Sequence, residues 1–118
     1  MSTAPASPPI NIVTSSPLST AINARWEEVP SIDQNGIIIV YEVCYQPLET
    51  FSGTIMKNTV NASELFLELT GLEEFVEYNV SMRAYTSQGP GPFSDDITQM
   101  TQEDGMFILL ISYIPMEL

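Results

Sequence analysis

The sequence contains no histidine and only one cysteine, Cys44. Histidine is the usual general base near neutral pH and the commonest metal ligand, so its absence disfavours most hydrolytic and metal-dependent enzymes. A single cysteine cannot form a disulfide within the chain, and no histidine is present to activate its thiol. We therefore expect a domain that is not an enzyme, binds no cofactor or metal, and keeps Cys44 reduced.

Positive charge is also scarce. The 118 residues include 3 Lys plus Arg against 15 Asp plus Glu, which gives a net charge of −12. Nucleic acids, heparin-like sugars and anionic membranes all require clustered basic side chains, so we expect the protein to bind none of them. The acidic residues include adjacent pairs, but a calcium site needs about six to eight converging oxygen ligands, and nothing in the sequence indicates convergence. These pairs are Glu27-Glu28, Glu73-Glu74, Asp95-Asp96 and Glu103-Asp104.

Hydrophobic residues make up 44% of the chain, and most of them alternate with polar residues in short segments. This two-residue period, interrupted by turn signals, is typical of antiparallel strands that bury one face. The sequence predicts seven strands around residues 10–12, 20–26, 37–46, 53–58, 64–69, 78–85 and 96–101. Two such sheets hide their apolar faces by packing together, which predicts an all-β, seven-stranded antiparallel sandwich.

The alternation also predicts which side chains form the core. Trp26, Tyr41, Leu72 and Tyr78 are expected to lie inside, and Ile37 and Ile39 are expected to share the face of Tyr41. Cys44 alternates to the opposite face and is expected to point away from the core as a reduced, partly covered thiol; the alternative is that it pairs with another chain. The stretch 88–92 contains two prolines and two glycines and is predicted to be a loop only.

The order and spacing of several short motifs resemble the fibronectin type III family. The motifs are Pro9 with Ile12, the strand ending in Trp26, Tyr41-Glu42-Val43-Cys44-Tyr45, Gly71-Leu72, Tyr78-Asn79-Val80-Ser81-Met82-Arg83-Ala84-Tyr85, Gly89-Pro90-Gly91-Pro92 with Ser94, and Thr101. The resemblance covers residues 9–103, leaving 1–8 as a linker and 104–118 as an apolar tail. It implies an immunoglobulin-like sandwich, with Tyr78 as the tyrosine corner of the family. Glu74 and Val76 depart from the family pattern in the loop before Tyr78.

The resemblance implies a protein-interaction or spacer module of a cell-adhesion or signalling receptor, flanked by neighbouring domains of the same chain. The alternative is an intracellular structural scaffold module, as in muscle proteins of the same fold. The loop 86–93 is a recognition position in this family, but the integrin tripeptide Arg-Gly-Asp is absent, so we expect no integrin binding of that kind. The candidate partner contacts are Gln88, Pro90 and Phe93 in this loop, with Arg83 and Tyr85 on the exposed sheet face beside Glu42 and Cys44.

Two Asn-x-Ser sequences are potential N-glycosylation sites, at Asn61 and Asn79. Asn79 alternates away from Tyr78 and is expected to face solvent. Use of either site would place the domain in the extracellular part of a cell-surface or secreted protein. The alternative is that both sequences are accidental.

The residues 106–114 are unusually apolar, but the stretch is shorter than the roughly twenty residues that cross a bilayer. Three interpretations remain open for it. It is an alternative or non-native end, an additional strand or helix packed on the sandwich, or the start of a truncated membrane span.

Overall fold

The strands form where apolar and polar residues alternate. The computed structural model of the protein describes residues 3–49 and 55–103. Its elements are β1 (Ile10–Leu18), β2 (Ala21–Glu27), α1 (Ser31–Gln34), β3 (Val40–Pro47), β4 (Met56–Asn61), β5 (Phe66–Leu69), β6 (Glu77–Thr86), β7 (Gly89–Pro90) and β8 (Ile97–Met100). No helix in these two ranges has the length and apolar character needed to cross a membrane.

Two antiparallel sheets make up the architecture. The first has the strand order β1-β2-β5, and the second has the order β4-β3-β6, with β7 and β8 both pairing with β6. This arrangement confirms the predicted all-β sandwich. The final predicted strand corresponds to β8, and the two-residue β7 brings the number of described strands to eight.

The assignment of residues 88–92 to a loop alone was wrong. Gly89 pairs with Thr86, and Pro90 pairs with Tyr85, so the chain makes a short hairpin before leaving the sheet. Proline is tolerated there because β7 pairs only with β6, and the missing N–H falls at a sheet edge.

The core lies between the two sheets and draws side chains from both. Trp26 on β2 and Tyr41 on β3 meet edge to face, with ring centroids 5.5 Å apart and an interplanar angle of 66°. Leu72 and Tyr78 are buried with them. The remaining members of the cluster are Ile22, Ala24, Val29, Val43, Tyr45, Leu69, Val80, Met82 and Ala84.

The predicted burial of Ile37 and Ile39 was wrong. Ile37 is 82% exposed and Ile39 is 46% exposed, while Ile38 packs against the core instead. The reason is that β3 begins only at Val40, which pairs with Asn61 near the end of β4 and with Tyr85 near the end of β6. Ile39 is still bonded on both sides, because its N–H donates to the Tyr85 carbonyl at 2.8 Å and its carbonyl accepts the Ala62 N–H at 3.1 Å. It lies at the end of the ladder, however, and among the described strands no paired residue of β3 precedes Val40.

The start of β1 is irregular. Ile10 is exposed while Ile12 packs against the core, so the two do not share one environment. Asn11 lies between them with a positive φ of 53°, and the register with β2 shifts between Ile10 and Val13. A left-handed residue and an irregular register break the two-residue period.

Two predictions fall wholly or partly outside the described residues. The strand predicted around residues 53–58 is described as β4 from Met56, with residues 53 and 54 outside the described ranges. The apolar tail lies outside them as well, so its three interpretations stay open.

A hydrogen bond from the backbone fixes the tyrosine near the crossing between sheets. The N–H of Glu73 donates to the Tyr78 hydroxyl at 2.9 Å. Tyr78 itself is buried at the start of β6. The phenol therefore fills the core while its oxygen ties down the preceding loop, which is the geometry that defines a tyrosine corner.

The N-terminal segment Thr3–Ser7, predicted to be part of a linker, is bonded to the sandwich. The N–H groups of Thr3 and Ala6 donate to the carbonyls of Asn35 and Asp33, each at 2.8 Å. On the other side, the Thr86 hydroxyl donates to the Thr3 carbonyl at 2.7 Å. The segment thus bridges the end of α1 and the end of β6.

Candidate functional site

The outer face of the second sheet carries an open groove of about 420 Å³. Side chains of β3, β4 and β6 that alternate away from the core form its floor, and the segment between β7 and β8 closes one side. The lining residues are Cys44, Tyr45, Gln46, Ile55, Lys57, Asn79, Ser81, Arg83, Phe93 and Asp96. Two of the three cations of the chain, Lys57 and Arg83, are among them.

Arg83 is held in one orientation by polar and aromatic neighbours. Its Nε–H donates to Glu42 Oε1 at 2.7 Å, and its Nη2 donates to the Tyr85 hydroxyl at 3.2 Å. The guanidinium carbon lies 4.2 Å from the centroid of the Phe93 ring and 5.4 Å from that of Tyr85. Such stacking favours a planar cation, and it fixes the guanidinium before any partner arrives.

The partner of Arg83 explains why the ion pair is stable. Glu42 is only 7% exposed, so its carboxylate would be costly to bury without a counterion and hydrogen bonds. Burial lowers the pKa of Arg83, but the hydrogen bond and charge of Glu42 outweigh it and leave that pKa raised. The Arg83 guanidinium therefore keeps its charge across the physiological pH range.

The predicted contact residues fall into two groups. Arg83, Tyr85 and Phe93 meet in the stacked cluster just described. Gln88 and Pro90 lie apart from it, exposed at the hairpin between β6 and β7. Phe93 keeps 42% of its surface exposed while its ring faces Arg83, so it both packs on the sheet and remains available for contact.

Cys44 lies on the groove side of β3, as its alternation predicts, but it is not open to solvent. Its residue is 7% exposed, flanked by Lys57 on β4 and Ser81 on β6. Burial raises the pKa of the thiol, and the nearby Glu42 carboxylate raises it further, against smaller opposing effects of Lys57 and Arg83. A buried thiol that holds its proton is a poor nucleophile.

The two potential glycosylation sites differ in environment. Asn61 is exposed at the end of β4, and its Oδ1 accepts hydrogen bonds from the N–H and the hydroxyl of Ser63, at 3.1 and 3.2 Å. Asn79 lies on β6 between Gln46 of β3 and Thr98 of β8, half-buried in the groove. Asn79 thus lies on the face opposite Tyr78 and Val80, as the alternation predicts, but it is partly covered because β6 is an interior strand of its sheet.

The described residues contain no group of three or more Asp, Glu or Cys side chains placed to hold a metal ion. On this face the structure describes the Arg83–Glu42 ion pair and the buried Cys44 thiol. This arrangement can bind another surface by stacking, hydrogen bonding and charge.

The family model described as "Fibronectin type III domain" matches residues 7–100, most of the chain. The chain belongs to the fibronectin type III family. Its module is 33% identical over 101 residues to human (Homo sapiens) receptor-type tyrosine-protein phosphatase F and 32% identical over 101 residues to mouse (Mus musculus) protein sidekick-2. In each case the match covers 85% of this chain and 5% of the relative, so the chain spans about one twentieth of the length of these proteins.

Solved structures show the same fibronectin type III fold. The FN5 domain of Drosophila Lar superimposes with a TM-score of 0.68 at 25% identity, covering 84% of this chain and 98% of that one. The chicken CNTN1 FN1-FN3 domains give a TM-score of 0.76 at 22% identity, covering 85% of this chain and 33% of that one. The second similarity concerns the fold alone.

Sequence reasoning missed part of the groove of this fibronectin type III module. Lys57 and Asp96 were not expected beside Arg83. Lys57 pairs with Cys44 across β3 and β4, and this register depends on two strands, so no single segment of the sequence shows it. The signal that could have found it is the alternation of the strand after residue 55, where Lys57 and Thr59 flank Asn58.

Proposed function

We propose that this fibronectin type III module is a non-catalytic protein-interaction and spacer element in the extracellular part of a cell-adhesion or signalling receptor. The observation that carries the proposal is the preorganised cluster of Arg83, Tyr85 and Phe93 on the outer face of the second sheet. Aromatic and arginine side chains fixed in advance lose little conformational entropy on binding, which is why they dominate protein interfaces. The similarity to receptor phosphatases and sidekick proteins supports the same class of parent protein.

The lack of histidine and the raised pKa of the Cys44 thiol support a non-catalytic role. The net charge of −12 and the scarcity of basic residues favour protein partners over nucleic acid or heparin, and the missing Arg-Gly-Asp tripeptide disfavours integrins that read it. The partners proposed are therefore another protein and the neighbouring domains of the same chain.

An extracellular location agrees with the state of the single cysteine. An exposed thiol outside the cell would form disulfides with other proteins, whereas the covered Cys44 is protected from that reaction. Asn61 supplies an exposed acceptor with the required Ser63 two residues later.

Secretion from mammalian cells tests the proposal. The chain fused to a signal peptide is expected to be secreted with a glycan on Asn61, so that peptide N-glycosidase increases its gel mobility. Asn61→Gln and Ser63→Ala should both abolish the shift, whereas Asn79→Gln should leave it unchanged. Because a glycan on Asn79 would cover the groove, a shift that depends on Asn79 would contradict the proposed contact face.

The absence of any glycan on the secreted chain would overturn the extracellular assignment. An intracellular scaffold module of the same fold is the outcome that this result would favour. The measurement thus separates the two classes of parent protein that the sequence left open.

A further inference from the structure

A second concavity, of about 310 Å³, lies at the end of the sandwich where the chain leaves β8. Its apolar lining includes Phe75 and Met100, which are 56% and 43% exposed, and the half-buried Val76. Three carboxylates line the same pocket, those of Glu49, Glu73 and Glu77. We call these six residues, together with Pro47, the exit pocket. It shares no residue with the groove that carries Arg83.

The loop that forms the exit pocket is tightly bonded to the end of the domain. The buried Thr101 accepts a hydrogen bond from the Val76 N–H through its hydroxyl oxygen, at 3.0 Å, and donates from the same hydroxyl to the Glu73 carbonyl at 2.7 Å. The Phe75 N–H donates to the Gln102 carbonyl at 3.0 Å. The loop is therefore a fixed surface on which a partner can dock.

Phe75 has an unfavourable backbone conformation and an exposed ring. Its φ is +54°, a region that bulky residues seldom adopt, and its ring is more than half exposed. Neither backbone preference nor core packing accounts for a phenylalanine there.

Charge decides which occupant fits. The chain has only three basic side chains, Arg25 on β2, Lys57 on β4 and Arg83 on β6, and none of them lines the exit pocket. The described residues offer no trio of carboxylates placed for a metal ion, so a bare cation does not suit the arrangement. A lysine or arginine side chain suits the exit pocket, because its aliphatic stem packs on apolar surface while its charged head reaches the carboxylates.

We infer that the exit pocket docks a basic segment of a partner protein, with a Lys or Arg side chain lying over Phe75 and Met100 and its head between Glu73 and Glu77. Phe75 contributes its ring face to the cation, and the surrounding carboxylates neutralise the charge. This inference rests on the proposed role as an interaction module and names the chemistry of one contact. The partner segment is basic, in contrast to the acidic module.

A labelled peptide tests the inference on the full 118-residue chain. The probe is a fluorescein-labelled hexapeptide of alternating arginine and leucine, titrated by fluorescence anisotropy at physiological salt. We expect Glu73→Gln combined with Glu77→Gln to weaken binding about tenfold, because both removed charges face the bound head group. The matched control, Glu27→Gln combined with Glu28→Gln, removes the same net charge elsewhere and should weaken binding no more than about twofold.

The apolar half of the pocket is tested separately. Phe75→Asn removes the ring while supplying a residue that tolerates positive φ, so the fold should be retained and checked by circular dichroism. It should weaken peptide binding several-fold, whereas Phe66→Thr, which removes an exposed ring from β5, should not.

Two results would overturn the inference. Equal weakening by the two glutamate pairs would show that the peptide responds only to overall negative charge, and no detectable binding would show that the pocket does not accept basic side chains. Neither result would affect the glycosylation test, so failure of the exit pocket is distinguishable from failure of the proposed function.

Discussion

At the scale of single residues, the clearest structural role belongs to the hydroxyl of Tyr78. It accepts the Glu73 N–H at 2.9 Å from within the core, so its removal leaves that partly buried donor without its partner. We expect Tyr78→Phe to reduce the free energy of unfolding by about 1–3 kcal/mol, the range for a buried donor left unsatisfied. Equilibrium unfolding in urea measures this change.

Tyr45→Phe is the matched control for that substitution. Tyr45 is also a core tyrosine, but its hydroxyl accepts only a weak hydrogen bond, because Asn58 Nδ2 lies as far as 3.5 Å away. Its substitution should cost less than about 0.5 kcal/mol. Equal costs for the two phenylalanine variants would contradict the role assigned to the corner.

Residue roles set by local spacing were predictable, and those set by neighbouring strands were not. Tyr78 follows Leu72 by six residues, which marked it in the sequence as the corner. The covering of Cys44 depends on Lys57 and Ser81 across two strands, and no local pattern reveals it. The same holds for the exposed ring of Phe75. Its loop is fixed by residues that directly follow β8, because the Phe75 N–H bonds to Gln102 and the Val76 N–H bonds to Thr101.

At the scale of elements, the N-terminal segment Thr3–Ser7 acts as part of the domain. Pro5 is buried against the hairpin after β6, and a Cβ added at Gly91 would lie 2.8 Å from both the Cβ and the carbonyl oxygen of Pro5. We expect Gly91→Ala to reduce the free energy of unfolding by about 1–3 kcal/mol. The added methyl group would overlap Pro5, so the segment at Gly91 or the N-terminal segment must move. Thermal unfolding measures the effect.

Removal of residues 1–7 provides the control for this prediction. In the shortened chain Pro5 is gone, so Gly91→Ala should change the melting temperature little. An equal loss in the full and shortened chains would show that the alanine acts elsewhere and that the N-terminal segment is not what it displaces.

The central strands were predicted well because each has partners along its whole length, so burial follows the two-residue period. The errors lie at strand ends. Ile37 and Ile39 continue the alternation of β3 beyond the last paired residues of β4 and β6, and Asn11 interrupts that of β1 with a positive φ. The position at which strand pairing stops depends on the partner strands, so it cannot be predicted from the sequence of one strand alone.

At the scale of the whole molecule, the groove and the exit pocket are both formed by the same two-sheet sandwich. Each keeps its shape only if the two sheets stay packed together. The core that joins the sheets is centred on Trp26 and Tyr41, from opposite sheets. The account therefore requires that the sheets unfold together, as small single domains usually do.

Fluorescence of the one tryptophan tests this requirement most directly, since Trp26 is 3% exposed and the chain contains no other indole. The account predicts blue-shifted native emission that acrylamide barely quenches, and a red shift in urea that coincides with the loss of the β-sheet signal in circular dichroism. Native emission typical of an exposed indole, or two separate transitions, would contradict it.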